Sequence, residues 1–237
     1  MKQLTADLPK PMIPVGGVPV LERIVTGLTR AGVREFLIVT GYKAEVIRSH
    51  FGAGRRWGIT IRYVQQEVQD GTGRVVELAR KFAGREAFLL GYGDILVRAS
   101  AYAKVLREWV RRPVDGLLTV VVGEDPGKGA IAVFDRQFHL QELIEKPSKI
   151  EIRKLRRNLR NFKPWYNAGI YVFTPRIFEY TARLEKSPRG EYELTDALRQ
   201  MARDGLKLRG VPISGGWWDV RDPAVLAEVD RRFRGGS

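Results

Sequence analysis

At 237 residues, with 44% apolar and 29% charged side chains, the chain is long enough to bury a sizeable core and too apolar to stay disordered. It has no cysteine, which excludes disulfides, thiolate metal sites and thiol catalysis, and its two histidines, His50 and His139, are too few for a histidine-built metal centre. No stretch approaches ~18 consecutive apolar residues and no signal-peptide core stands at the start, so the expectation is a cytoplasmic protein without a membrane span. The formal charge of +14 suits a polyanionic partner, either nucleic acid or a phosphorylated small molecule.

Residues 5–17 hold three prolines and read as a rigid extended loop presenting Lys10 between Pro9 and Pro11. Val20, Leu21, Ile24, Val25 and Leu28 recur at helical spacing and stop at Gly32, which predicts a helix over 19–31. A buried strand is expected over 36–42, a short helix over 45–50, and an alternating strand over 59–65 that runs into a turn at 66–73 and a helix over 75–82. The chain is organised around residues 87–94, an apolar run that stops at glycines and delivers Asp94. Such a run reads as a strand buried on both faces, and ligands of open α/β sheets sit beyond the carboxyl ends of strands. The alternative is that Asp94 caps a helix entered through Ile95, Leu96 and Val97.

A helix over 101–111 and strands over 116–123, 130–134 and 140–144 follow, the last closing on Glu145, Lys146 and Pro147. Residues 150–163 carry Arg153, Lys154, Arg156, Arg157, Arg160 and Lys163, a basic helix-like insert read as a solvated face in preference to an anion platform. A strand over 166–173, a helix over 195–203, a strand over 206–213, the run Trp217, Trp218, Asp219, and a helix over 223–233 complete the chain. Strands alternating with helices imply a single α/β domain over 1–237, with a doubly wound, mostly parallel, Rossmann-like sheet. One feature is odd for such a sheet: the first regular element is a helix, preceded only by the proline loop.

These residues resemble the sugar-phosphate nucleotidylyltransferases, which join a nucleoside triphosphate to a sugar 1-phosphate and release pyrophosphate. Residues 7–15 are similar to the family's proline-lysine-proline loop, Gln66 and Glu67 followed by Gly71 and Thr72 to its base-binding turn, and Gly93-Asp94 to its first metal aspartate. Gly129 with residues 133–135, Glu145-Lys146-Pro147, Asn167-Ala168-Gly169, residues 193–197 and Trp218-Asp219 then fall in the family's order. The resemblance implies a Mg²⁺ ion held by Asp94 and Asp219. It assigns Lys10 to the triphosphate and Lys146 to the sugar phosphate as catalytic cations, and Gln66, Gly71 and Thr72 to the nucleotide. The sugar falls to Gly129, Glu145, Asn167 and Gly169. Trp217 and Trp218 read as core rather than as ligand stackers.

The family's strand and glycine-rich phosphate loop normally end where this chain starts, which accounts for the orphan first helix and suggests that Met1 is an internal methionine. Losing a central strand would remove ~6–15 kcal/mol of apolar burial and leave open edges that invite self-association, so a homo-oligomer is one expectation. Lys128 before Gly129, Gly73, and the run Val220-Arg221-Asp222-Pro223 also depart from the common pattern, leaving base and sugar open. The competing expectation is an inactive relative that binds nucleotide or sugar phosphate. Nucleic-acid binding ranks last, because only Phe162 and Trp165 lie near the basic run.

Overall fold

The computed structural model describes residues 8–158, 163–221 and 223–234; Asn161, Phe162 and Arg160 of the basic insert lie outside them. A 3₁₀ turn at Lys10–Met12 leads into a small hairpin, β1 (Pro14–Val15) and β2 (Val18–Pro19), then α1 (Val20–Arg30), β3 (Glu35–Thr40), α2 (Ala44–Phe51) and β4 (Thr60–Gln65). Next come α3 (Thr72–Leu78), α4 (Arg80–Ala83), β5 (Phe88–Gly91), β6 (Ile95–Val97), α5 (Ala99–Arg111) and β7 (Gly116–Val121). The chain continues through β8 (Ile131–Phe134), β9 (Leu140–Ile144), α6 (Lys149–Asn158), β10 (Trp165–Phe173) and α7 (Ile177–Thr181). It ends with α8 (Leu194–Arg203), β11 (Leu208–Pro212), β12 (Trp217–Asp219) and α9 (Pro223–Arg234). No helix among the described residues is long and apolar enough to cross a membrane.

The chain forms two compact units, one of residues 1–69, 91–106 and 214–237, the other of 70–90 and 107–213. In the first, β3 and β4 pair in parallel from Glu35 opposite Thr60 to Thr40 opposite Gln65. The α1 stripe forms as its spacing requires: Val20, Leu21, Ile24, Val25 and Leu28 are all buried, each contributing ~1.5–3 kcal/mol. The helix stops where Gly32 takes a φ of +106° and its N–H reaches the Thr29 carbonyl at 3.1 Å. A second ladder joins β12 to β6 antiparallel, and α9 packs beside the β1–β2 hairpin, with the Gly16 N–H donating to Asp230 Oδ1 at 2.8 Å.

The second unit is built on a sheet of order β11-β7-β10-β8-β9, with β5 also pairing to β10. Leu117, Leu118, Val120, Ile170, Tyr171, Phe173, Leu194 and Leu198 form its closely packed centre. The α/β class holds, but the ladder is mixed where a mostly parallel sheet was expected. In this sheet β11 on β7 runs parallel, while β7–β10, β10–β8 and β8–β9 are antiparallel. The short β8–β9 connection accounts for the last of these, since parallel neighbours need a crossover of a dozen residues or so.

Three local expectations change. Ile95, Leu96 and Val97 are a buried strand paired with Trp217–Asp219, so α5 begins at Ala99 and Asp94 does not cap a helix entered through them. The run 87–94 is a half-buried strand ending at Gly91, followed by a turn, because β5 meets β10 on only one of its edges among the described residues. The helix expected over 75–82 starts at Thr72 and breaks at Ala79, and α7, which the sequence reading passes over, buries Ile177 and Phe178.

Candidate active site

Candidate residues occur in both units. In the first, the Met12 N–H bonds to the Pro9 carbonyl at 2.8 Å and closes the 3₁₀ turn that the flanking prolines favour. This turn carries the Lys10 ammonium into an ion pair with the Asp94 carboxylate, each side chain about one-third exposed. The β6–β12 register places Asp219 opposite Ile95, the neighbour of Asp94, and the Val220 N–H donates to the Asp94 carbonyl at 2.9 Å. Asp219 Oδ2 lies 3.4 Å from Arg221 Nε. Two partly buried carboxylates on adjacent chain segments, each beside a cation, thus stand at the end of this ladder. Sequence reasoning found both acids and Lys10 but only noted Arg221 as a departure. Gln66, half-buried just past the carboxyl end of β4, donates its backbone N–H to the Thr40 carbonyl at 2.8 Å.

In the second unit, Gly129, Lys146 and Asn167 meet through the backbone. Lys146 N–H donates to the Gly129 carbonyl at 3.1 Å, and Asn167 N–H to Ala130 at 2.9 Å. Gly129 is extended, yet a Cβ there would sit 2.2 Å from the Tyr166 hydroxyl, so close approach rather than backbone freedom demands glycine. Lys146 has a φ of +42°, a left-handed conformation that costs a non-glycine residue of order 1–3 kcal/mol and concentrates at functional positions. Gly169 takes a φ of +76° where the β10–β7 register shifts, and the buried Thr119 hydroxyl donates to the Ile170 carbonyl at 2.8 Å to close the irregularity. The Asn167 amide donates to the Tyr171 hydroxyl at 2.6 Å.

Glu145 belongs to a charged group that the sequence could not assemble. Arg189 lies 3.9 Å from Glu145 Oε1 and 2.6 Å from Glu193 Oε1, and it also pairs with Glu191. Burial pushes the Glu145 carboxyl above the usual carboxylate range, and the Glu193 charge adds to this against the pull of Arg189 and Lys146. Such a group accepts hydrogen bonds when ionised and is poised to gain a proton earlier than an ordinary glutamate.

Gly71 and Thr72 have structural work. Gly71 has a φ of +124° and a Cβ there would lie 2.4 Å from the Tyr192 carbonyl oxygen, while the Gly73 N–H donates to that same carbonyl at 2.8 Å. The Thr72 hydroxyl accepts the Leu194 N–H at 3.1 Å, covering a free donor at the start of α8. Arg74 lies over the Tyr192 ring at 4.2 Å. The turn is therefore fastened to residues 192–194, a partnership invisible in local sequence.

A family model described as nucleotidyl transferase matches residues 1–233. The bifunctional protein GlmU of Methanococcus aeolicus is 34% identical over 227 residues, covering 96% of this chain and 50% of the relative, so the chain spans about half that relative's length. The UTP–glucose-1-phosphate uridylyltransferase AglF of Haloferax volcanii is 28% identical, covering 99% of this chain and 91% of its own. A UDP-glucose pyrophosphorylase solved with UDP-glucose superposes with a TM-score of 0.81 at 18% identity, over 97% of this chain and 92% of the other, a likeness of fold.

Proposed function

The chain belongs to the nucleotidyl transferase family, and we propose that it transfers a nucleotidyl group from a nucleoside triphosphate to a sugar 1-phosphate. An oxygen of the sugar phosphate attacks the α-phosphorus, the bond to the bridging α–β oxygen breaks, and pyrophosphate leaves with that electron pair. Bringing two anions together is the main obstacle, so the chemistry asks for cations and fixed positions more than for covalent intermediates.

The observation that carries this reading is the pairing of Lys10 with Asp94, with Asp219 one register position away. Lys10 offers a compact positive charge to the triphosphate, and Arg221 beside Asp219 offers a second. The carboxylates of Asp94 and Asp219 suit a hard divalent cation that keeps several waters, and Mg²⁺ is the ion proposed for them. When bound, that ion would neutralise phosphate charge and act as a Lewis acid. In the other unit, Lys146 serves the sugar phosphate, Glu145 and Asn167 accept and donate hydrogen bonds to sugar hydroxyls, the half-buried Gly129 offers backbone atoms, and the buried Gly169 shapes β10 beside Asn167. Gln66, Gly71 and Thr72 are proposed for the nucleotide, the last two through backbone atoms because the Thr72 hydroxyl already holds α8.

Pyrophosphate release with Mg²⁺, measured for the full chain across nucleoside triphosphates and sugar 1-phosphates, tests the reading. Turnover with at least one pair is expected. Binding of both substrate classes without turnover would replace the transferase by a binding-only homologue.

A further inference from the structure

Within the second unit, a cavity of about 450 Å³ opens at the end of the sheet where β7 and β11 begin. Arg112, Arg136, Lys207 and Arg209 line it together with His139 and Phe138, and no acidic side chain does. It lies away from the residues proposed for the sugar. Gly116 pairs with Leu208 at this end, whereas Asn167 sits opposite Val120, four residues or ~13 Å further along β7.

The nearby carboxylates are already occupied. Asp115 Oδ1 lies 3.1 Å from Arg176 Nη1, and its Oδ2 accepts the Lys207 N–H at 2.8 Å. Asp135 Oδ1 accepts the N–H groups of Gln137 and His139 at 2.9 and 2.8 Å, and its Oδ2 lies 3.7 Å from His139 Nδ1. Among the described residues, Arg112, Arg136 and Lys207 have no carboxylate within ion-pairing distance. Four like charges around one hollow repel each other, and a multiply charged anion relieves that repulsion.

The walls are built rather than draped. Phe138 takes a φ of +65°, stacks on Phe134 at 4.5 Å and meets Trp165 edge-on at 5.3 Å. Its carbonyl accepts the Gly210 N–H at 3.0 Å, and Arg209 donates to the Gln137 carbonyl at 3.0 Å. A Cβ on Gly210 would lie 2.5 Å from the Phe138 ring, so the β8–β9 turn is seated directly on β11. A left-handed phenylalanine persists only where its surroundings over-determine it.

We propose that this cavity is an anion site, separate from the residues proposed for the sugar in the same unit, and that it takes an oligophosphate: an inorganic chain or the phosphate tail of a nucleotide. Its size falls within the ~300–1,000 Å³ of small-molecule sites. Guanidinium forks match phosphate oxygens two at a time, which favours phosphate over monovalent carboxylates. The proposal stands independently of the transferase reading.

Calorimetric titration of the full chain with inorganic tripolyphosphate, and separately with ATP, in EDTA tests it. Three proteins are compared: the natural chain, the variant R112A/R136A/K207A, whose three sites are exposed, and the charge-matched control R30A/K81A/R85A, which removes as many exposed cations elsewhere. The cavity variant is expected to weaken tripolyphosphate binding by about tenfold or more and the control to leave it unchanged. An equal loss for both ligands in the cavity variant assigns the inorganic chain, and a larger loss for ATP assigns the nucleotide. No binding by the natural chain, or the same affinity in the cavity variant as in the control, would overturn the proposal.

Discussion

At the residue scale, the proposed chemistry rests on charges with fixed neighbours. Asp94 and Asp219 each stand beside a cation, so replacing either acid removes one ion pair of Lys10 or Arg221 and an oxygen donor for the proposed metal. Glu145 has the opposite problem, because burial disfavours its charge. Since the folded carboxyl holds its proton to higher pH than the unfolded one, stability falls as pH rises from ~4.5 through the folded pKa, and the cost remains at neutral pH. Glu145→Gln is therefore expected to raise the denaturant midpoint at pH 7 while lowering pyrophosphate release. If Glu145 must be ionised to accept sugar hydroxyls, activity of the natural chain also declines on acidification before ordinary carboxylates protonate. An unchanged midpoint together with an unchanged pH profile in Glu145→Gln would remove the glutamate from this role. Asp94, Glu145 and Lys146 were legible in sequence as short runs at strand ends, whereas Arg189 was not, because nothing local marks an arginine that reaches Glu145 across 44 positions.

At the element scale, the turn at 71–73 shows how a sequence expected to read a base can be fixed by packing. A methyl group on Gly71 would meet the Tyr192 backbone, which has no side chain to move aside, and the φ of +124° is strained for any other residue. Gly71→Ala is expected to cost about 2–4 kcal/mol in urea denaturation, from strain and overpacking together. Thr72→Ala, which loses only the bond to the Leu194 N–H, should cost about 1 kcal/mol. Equal effects for the two would show that the close approach of Tyr192 does not hold the turn. Helix periodicity makes α1, α5 and α8 legible, because one buried stripe decides each of them. Short elements escaped: Ile95–Val97 is a strand because Trp217–Asp219 pairs with it, and that partner is more than a hundred residues distant.

At the scale of the whole molecule, the chain passes repeatedly between the two compact units, so neither is a contiguous segment. A fragment of residues 107–213 lacks β5 and α3, and with them the stacking of Phe88 on Phe178 and the Glu77 acceptor of the Thr181 hydroxyl. It is expected to show no cooperative urea transition, and a sharp one would mean that residues 70–90 are dispensable to that unit. The α/β class was legible from the alternation of strands and helices, but strand direction was not, since hydrophobic runs look alike in parallel and antiparallel ladders. The net charge of +14 pointed to an anionic partner without locating it, and within the second unit the folded chain gathers Arg112, Arg136, Lys207 and Arg209 around one cavity. The measurement that bears most directly on the account is Mg²⁺-dependent pyrophosphate release by the full chain compared with Asp94→Ala and Asp219→Ala. The account expects turnover in the natural chain and a loss of about a hundredfold or more in each variant, with far-ultraviolet circular dichroism unchanged. Turnover retained in both variants would contradict it.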